Sequence, residues 1–233
     1  MIRHLTFAFF TITALAYVAC QNQQSATQTE DGLPIETVSS SQTAEQTLHV
    51  IPDATTIFWE GYKPAINVTH RGTVQVSEGT VLMRDGVISG GSFIIDFRTI
   101  TDTDLDPESK AKLEAHLKGT VKGKEDDFFN VDKYPTGRFE ITKVTQLEGD
   151  PEANTMVYGN LTIKETTKNV GFKARASYED GVLTVSTPQF MIDRTEFGIQ
   201  VLSKKFFDNL TDNFVADEFG LRIELRADVG QDM

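Results

Sequence analysis

A single cysteine, Cys20, is all the thiol chemistry available in 233 residues. An internal disulfide and every CxxC-based redox or zinc site are therefore excluded. Histidine is scarce too. Of the four present, His4 lies in the N-terminal stretch, and His49, His70 and His116 are far apart along the chain. No metal-ligand spacing is visible, and neither a metal nor a cofactor is expected. Basic residues number 22 against 34 acidic ones, a formal net charge of −12. That balance argues against nucleic acid and against broad attraction to anionic membrane surfaces, both of which need clustered cations. No GxSxG elbow, HExxH pair, Walker loop or GxGxxG turn occurs. Carboxylates such as Asp126, Asp127, Asp193 and Glu196 read as a solvated acidic surface, and no catalytic residue is assigned.

The apolar stretch from Leu5 to Ala19 follows the positive Arg3 and contains three threonines. It is short of the about 20 residues that cross a bilayer and suits the core of a signal peptide. Cys20 stands where it ends, behind the small residue Ala19. "YVAC" resembles a bacterial lipobox, whose cysteine becomes the lipid-bearing first residue after cleavage, although Tyr17 stands where an aliphatic residue is usual. Residues 1–19 are thus expected to be a signal peptide of lipoprotein type. Residues 20–46, rich in Gln, Ser, Thr and Glu, cannot bury enough to offset their ordering entropy and read as a lipid-anchored flexible tether. Residues 47–229 form the domain, and 230–233 a tail. The expected location is the bacterial cell envelope, periplasm-facing or at the surface, with membrane contact through the lipid on Cys20.

From Leu48 onward the pattern has a period of two. "LHVI" and "TTIFWEGYK" read as strands. "GTVQVSEGTVLMRDGVISGGSFIIDF" reads as three alternating runs separated by the turn signals "SEG" and "RDG". Phe93, Ile95 and Phe97 share one face against Ser92, Ile94 and Asp96. Phe139 pairs with Ile141, Leu161 with Ile163, and Phe172 with Ala174, while Leu221, Ile223 and Leu225 align. Strands this numerous suit a sandwich or a closed barrel. "DPESKAKLEAHLKG" interrupts them as one short amphipathic helix, with a proline at its start, Leu113 and Leu117 four apart, and Gly119 at its end.

Phenylalanine dominates the aromatics, 16 against five Tyr and one Trp. It brings apolar bulk with no hydroxyl to satisfy. Two readings stay open: a solidly packed core, or a barrel of about eight strands enclosing an apolar cavity. The pair Phe128–Phe129, set in a loop between a charged run and Tyr134-Pro135, sharpens the choice, and "FFDN" at Phe206 repeats it. Such residues need an apolar surface to cover.

Seven motifs in order resemble the YceI-like, polyisoprenoid-binding domain family. They are "WEGYK" at Trp59, "HRGTV" at His70, "GGSFIIDFRTITDTDL" at Gly90, "KLEAHLK" with "DDFFNVDKYPTGRFEITKV" from Lys112, "GNLTIKETTKNVGF" at Gly159, "IDRTEFGI" at Ile192, and "FFDNLTDNFVADEFGLRIEL" at Phe206. The resemblance runs from about Leu48 to Asp228, and its lipoprotein variant fits Cys20. It implies a lipocalin-like antiparallel β-barrel around a tunnel for an isoprenoid, an isoprenoid quinone or another long-chain apolar ligand. The residues expected to line that tunnel are Trp59, Phe93, Ile95, Phe97, Phe128, Phe129, Phe139, Phe172 and Phe206. A ligand ending in phosphate would need cations or donors at the mouth. His70, Arg71, His116, Arg194 and Lys204 are the candidates, with an ion pair to Asp193 or Glu196 as the other reading of Arg194. Two segments, "GTVKGKE" and "QVLSKK", depart from the family pattern and bear on the mouth.

Three functions remain: a lipid carrier, an enzyme using a histidine and a carboxylate at the mouth, and a partner-binding lipoprotein with a filled barrel. A cavity favours the first, a convergent His–carboxylate pair beside it the second, and a solid core the third.

Overall fold

The computed structural model describes residues 44–230. Cys20, and with it the expected signal peptide and anchor, lies outside the described residues. Ten strands make one antiparallel sheet: β1 (Gln46–Val50), β2 (Thr56–Lys63), β3 (Val68–Arg84), β4 (Val87–Asp102), β5 (Thr136–Gln146), β6 (Thr155–Ile163), β7 (Thr166–Glu179), β8 (Val182–Ser186), β9 (Phe190–Asp193) and β10 (Glu218–Asp228). From β2 to β8 each strand pairs with the next, and β10 closes the ring between β8 and β2.

The ring has eight positions because two of them hold two strands end to end. β1 and β2 both pair with β3 and β10, and β8 and β9 both pair with β10. A proline interrupts each position, Pro52 in the first and Pro188 in the second, since proline has no N–H to give a ladder. A buried threonine seals each break. The hydroxyls of Thr55 and Thr187 accept the amide protons of Arg226 and Ile223 at 3.2 and 2.9 Å. β10 thereby keeps both of these donors satisfied.

"RDG" is a turn, as expected: Asp85 and Gly86 both have positive φ, 53° and 76°, as a tight hairpin matched to strand twist requires. "SEG" is not a turn. Ser77, Glu78 and Gly79 continue inside the 17-residue β3, where the register slips between Val76 and Glu78. The turn-prone triplet is held extended by the ladder to β4, where Glu78 pairs with Ile94 and Gly79 with Phe93, and a bulge absorbs the extra residue. Gly79 is needed there for space, because a Cβ would stand 2.8 Å from Phe93 Cδ1 and 2.9 Å from Val50 Cγ2.

Phe93, Ile95 and Phe97 are buried on one face of β4, and then the alternation breaks. Thr73 pairs with Thr101, yet Gln75 pairs with Asp96. The Thr99 hydroxyl accepts the Gln75 N–H at 2.9 Å in place of the ladder. Parity reverses across this irregularity, so Ile100 and Asp102 become the buried positions, at 3% and 0% exposure.

The helix α1 (Pro107–Lys118) starts where expected. The Asp106 side chain accepts from the Glu108 and Ser109 amides, Pro107 opens the first turn, and Gly119 ends it at φ 74°, each the favoured residue for its place. Glu114 fastens α1 to β4 by accepting the Thr101 hydroxyl at 2.7 Å and the Asp102 N–H at 2.9 Å. Burial pushes this carboxyl up, but the two donors together with Lys118 and Lys110 outweigh it and hold it below the usual carboxylate range.

Candidate ligand-binding cavity

The inward side chains do not fill the barrel. They leave a cavity of ≈ 320 Å³, within the range of about 300–1,000 Å³ typical of small-molecule sites. On β3 its wall extends from His70 to Val81, roughly 36 Å of strand, or roughly 28 Å along the axis of a barrel with strands tilted by about 40°. Beyond Val81 and Ile88 the barrel is packed solid by Leu48, Met83, Leu183 and Ala227, each at most 2% exposed. The charged side chains of the wall are Glu60, Lys63, His70, His116, Arg194 and Glu218. They come from the end of β2, the start of β3, α1, the residue after β9 and the start of β10, which all lie at the opposite end. The cavity is an apolar well with a polar mouth.

Trp59, Phe93, Ile95, Phe97, Phe128, Phe129, Phe139 and Phe172 all line it. Several of the rings touch in sequence: Phe93 and Phe139 lie 6.2 Å apart between centroids, Phe139 and Phe172 5.6 Å, and Phe172 and Phe190 4.6 Å. The last pair stacks between β7 and β9, strands that share no ladder among the described residues, so rings close the wall where hydrogen bonds do not. Phe190 was not anticipated, although Phe190 and Ile192 in "PQFMID" carry the strand period. The Trp59 indole donates to the Thr73 carbonyl at 3.2 Å, which leaves its ring as apolar wall.

Phe128 and Phe129 belong to the loop that follows α1. Their backbone is pinned to the helix end, with the Phe129 N–H donating to Leu117 O and the Val131 N–H to Lys118 O. Phe129 packs on Phe97 at 4.6 Å. Phe128 meets the His116 ring edge-on at 5.0 Å, and His116 Nε2 lies 2.7 Å from Asp127 Oδ2. None of residues 119–125, the "GTVKGKE" segment, belongs to the wall; the Gly119 and Thr120 amides tie its start to His116 O and Ala115 O of α1, and local turns follow, with the Lys124 N–H reaching Val121 O and the Asp127 N–H reaching Lys124 O.

Phe206 is a correction. Together with Phe207 it is 48% exposed and stands outside the wall. Both amides donate to the carbonyl of the buried Ser203, and the resulting turn presents the two rings on its outer side. Lys204 is likewise not at the wall, since its ammonium sits 3.8 Å over the Phe214 ring. Arg71 also turns away, its Nε donating to Glu60 at 2.8 Å. Arg194 is at the wall but committed. It is 4% exposed and donates to the carbonyls of Ala216, Ile199 and Val215 at 2.9, 2.8 and 3.1 Å. Its nearest carboxylate is Asp217 at 3.8 Å, neither Asp193 nor Glu196. Asp193 serves Thr195 and Lys205 instead.

Two His–carboxylate pairs flank the mouth: His116 with Asp127, and His70 with Asp104 at 3.2 Å. This is the convergence an enzyme would need. The hydroxyls among the wall residues are otherwise engaged, Tyr62 with Glu60 at 2.8 Å and Thr187 with the Ile223 amide. Among the described residues neither is bonded to a histidine. Around Asp104, burial pushes the carboxyl up, and the Arg71 N–H and His70 outweigh it, leaving the group below the usual range.

A family model, the YceI-like domain, matches residues 48–227. No curated protein matches the chain. Among solved structures, Burkholderia cenocepacia BcnA is 16% identical with a TM-score of 0.53, covering 76% of this chain and 98% of its own. A polyisoprenoid binding domain from Saccharophagus degradans, implicated in plant cell wall breakdown, is 10% identical with a TM-score of 0.53, over 78% of this chain and 97% of its own. At such identities the likeness is one of fold.

Proposed function

The chain belongs to the YceI-like domain family, and from that premise we propose that it binds one long apolar chain, isoprenoid in type, and carries or sequesters it in the bacterial cell envelope. The observation that carries this reading is the apolar well, whose charged residues all gather at one end. Each methylene moved from water into such a wall contributes about 0.8 kcal/mol before ordering costs. A hydrocarbon tail belongs in the well and a polar end group at the mouth. One barrel encloses one tail, so binding needs a single chain. The name of the Saccharophagus relative, a polyisoprenoid binding domain, agrees with that ligand class.

Native mass spectrometry of protein extracted gently from its own host tests the reading. The expected result is one long-chain lipid per chain. Protein that is always empty, or lipid shared between two chains and enclosed by neither, overturns it. Turnover of a bound lipid, abolished by His116→Ala, would replace the carrier with the enzyme reading.

The envelope location rests on Cys20 at the end of the apolar N-terminal stretch. Several acyl chains hold a protein at a membrane where one alone is marginal. Cys20→Ser is expected to release the protein from membranes or leave it unprocessed, as followed by fractionation and intact mass. A matured variant that still extracts only with detergent would show that Cys20 is not the anchor.

A further inference from the structure

Asp102 is 0% exposed, carried inward by the parity reversal in β4. Its Oδ1 accepts the amides of Asp104 and Leu105 at 3.1 and 2.8 Å. Its Oδ2 is shut off from solvent and has no donor among the described residues. A buried carboxylate oxygen left unpaired is costly, and in native proteins such an atom marks a place for an ion or a water. The nearby cations do not serve it. Lys110 Nζ donates to the backbone carbonyl of Asp102 and lies 3.6 Å from Glu114, and the Arg71 guanidinium is taken by Glu60.

What does face Asp102 is a second carboxylate and an imidazole. One ligating atom from each of His70, Asp102 and Asp104 lies within 4.8 Å of the others. His70 Nδ1 and Asp104 Oδ2 are already 3.2 Å apart, close to the roughly 3.3 Å between neighbouring ligands of a tetrahedral ion bound at about 2.0–2.1 Å. Asp104 has its other oxygen on the Arg71 N–H at 2.6 Å, and Asp102 has its other oxygen on two amides, so both carboxylates are oriented by the backbone. Oriented ligands held by further hydrogen bonds are what a metal site needs.

We propose that His70, Asp102 and Asp104 bind one divalent transition-metal cation, Zn²⁺ by preference, beside the mouth of the cavity. The cation supplies the missing partner of Asp102 Oδ2 and neutralises two adjacent acids. The imidazole selects against Mg²⁺ and Ca²⁺, which take oxygen ligands. Three protein ligands leave a coordination position for water. The site is independent of what fills the well.

The test uses full-length, untagged protein stripped with chelator and dialysed, then titrated with zinc chloride and, separately, manganese chloride by calorimetry. One equivalent of Zn²⁺ is expected to bind, more tightly than Mn²⁺, with a rise in melting temperature. His70→Ala and Asp102→Asn should each weaken Zn²⁺ binding at least tenfold, while His49→Ala, on β1 at the far end of the barrel, leaves it unchanged. Asp102→Asn keeps an oxygen for the two amides; should it fail to fold, His70→Ala, at a partly exposed position, decides alone. Absence of stoichiometric Zn²⁺ binding to the parent protein, or unchanged affinity in His70→Ala, overturns the proposal.

Discussion

Replacing Arg194 with alanine should lower the melting temperature by roughly 10 °C. The guanidinium joins the end of β9 to the segment leading into β10 by donating to Ile199, Val215 and Ala216. It is 4% exposed, so alanine strands three carbonyls that are buried or partly buried, leaves Asp217 with only Lys205 at 3.6 Å as a cation, and opens a cavity. Removing one member of such a buried charged cluster costs about 3–5 kcal/mol, and for a domain of this size each kcal/mol is worth about 2–4 °C. Arg194→Lys should recover only part of the loss, because one ammonium cannot reach three carbonyls set in a fork. Circular dichroism melts of lipid-free protein measure this. A change under about 2 °C on alanine substitution, with lipid retention lost, would return Arg194 to the role of a headgroup ligand.

That difference marks the limit of reading side chains from the chain alone. The sequence neighbours of Arg194, Asp193 and Glu196, suggested an ion pair, whereas its acceptors are backbone atoms up to 22 residues away. Local pattern carried the barrel well. Phe93, Ile95 and Phe97 face inward because a strand repeats every two residues, and α1 begins at Asp106-Pro107 because the cap and the missing N–H act within one turn. Longer-range geometry was invisible. "SEG" holds turn-forming residues yet is kept extended by pairing of Glu78 and Gly79 with Ile94 and Phe93 on β4. The slip in β4 that sends Asp102 inward appears only once β3 is laid beside it, and this brings two aspartates to His70, 32 and 34 residues earlier in the chain. Phe206 followed the motif faithfully and still points outward, since a motif specifies residues and the turn at Ser203 specifies direction.

Phe129→Asp should weaken lipid retention strongly while costing the fold less than Arg194→Ala does. Phe129 lines the cavity and packs on Phe97 at 4.6 Å, but it is only half-buried and its backbone is fastened independently by the bond to Leu117. A carboxylate there meets an apolar tail without a partner and is neutralised, hydrated or swung outward. Each outcome takes an apolar contact worth about 1.5–3 kcal/mol from the ligand, roughly a 10- to 100-fold loss of affinity. Phe129→Leu keeps an apolar surface and should retain lipid. Phe206→Asp, on the exposed turn, should change neither retention nor melting. If Phe129 is ordinary core, the aspartate variant instead melts as early as Arg194→Ala, since a core aromatic is worth about 3–5 kcal/mol. Melting of lipid-free protein beside lipid retention separates the two, and parental values for both would remove Phe129 from the wall that binds and from the core alike.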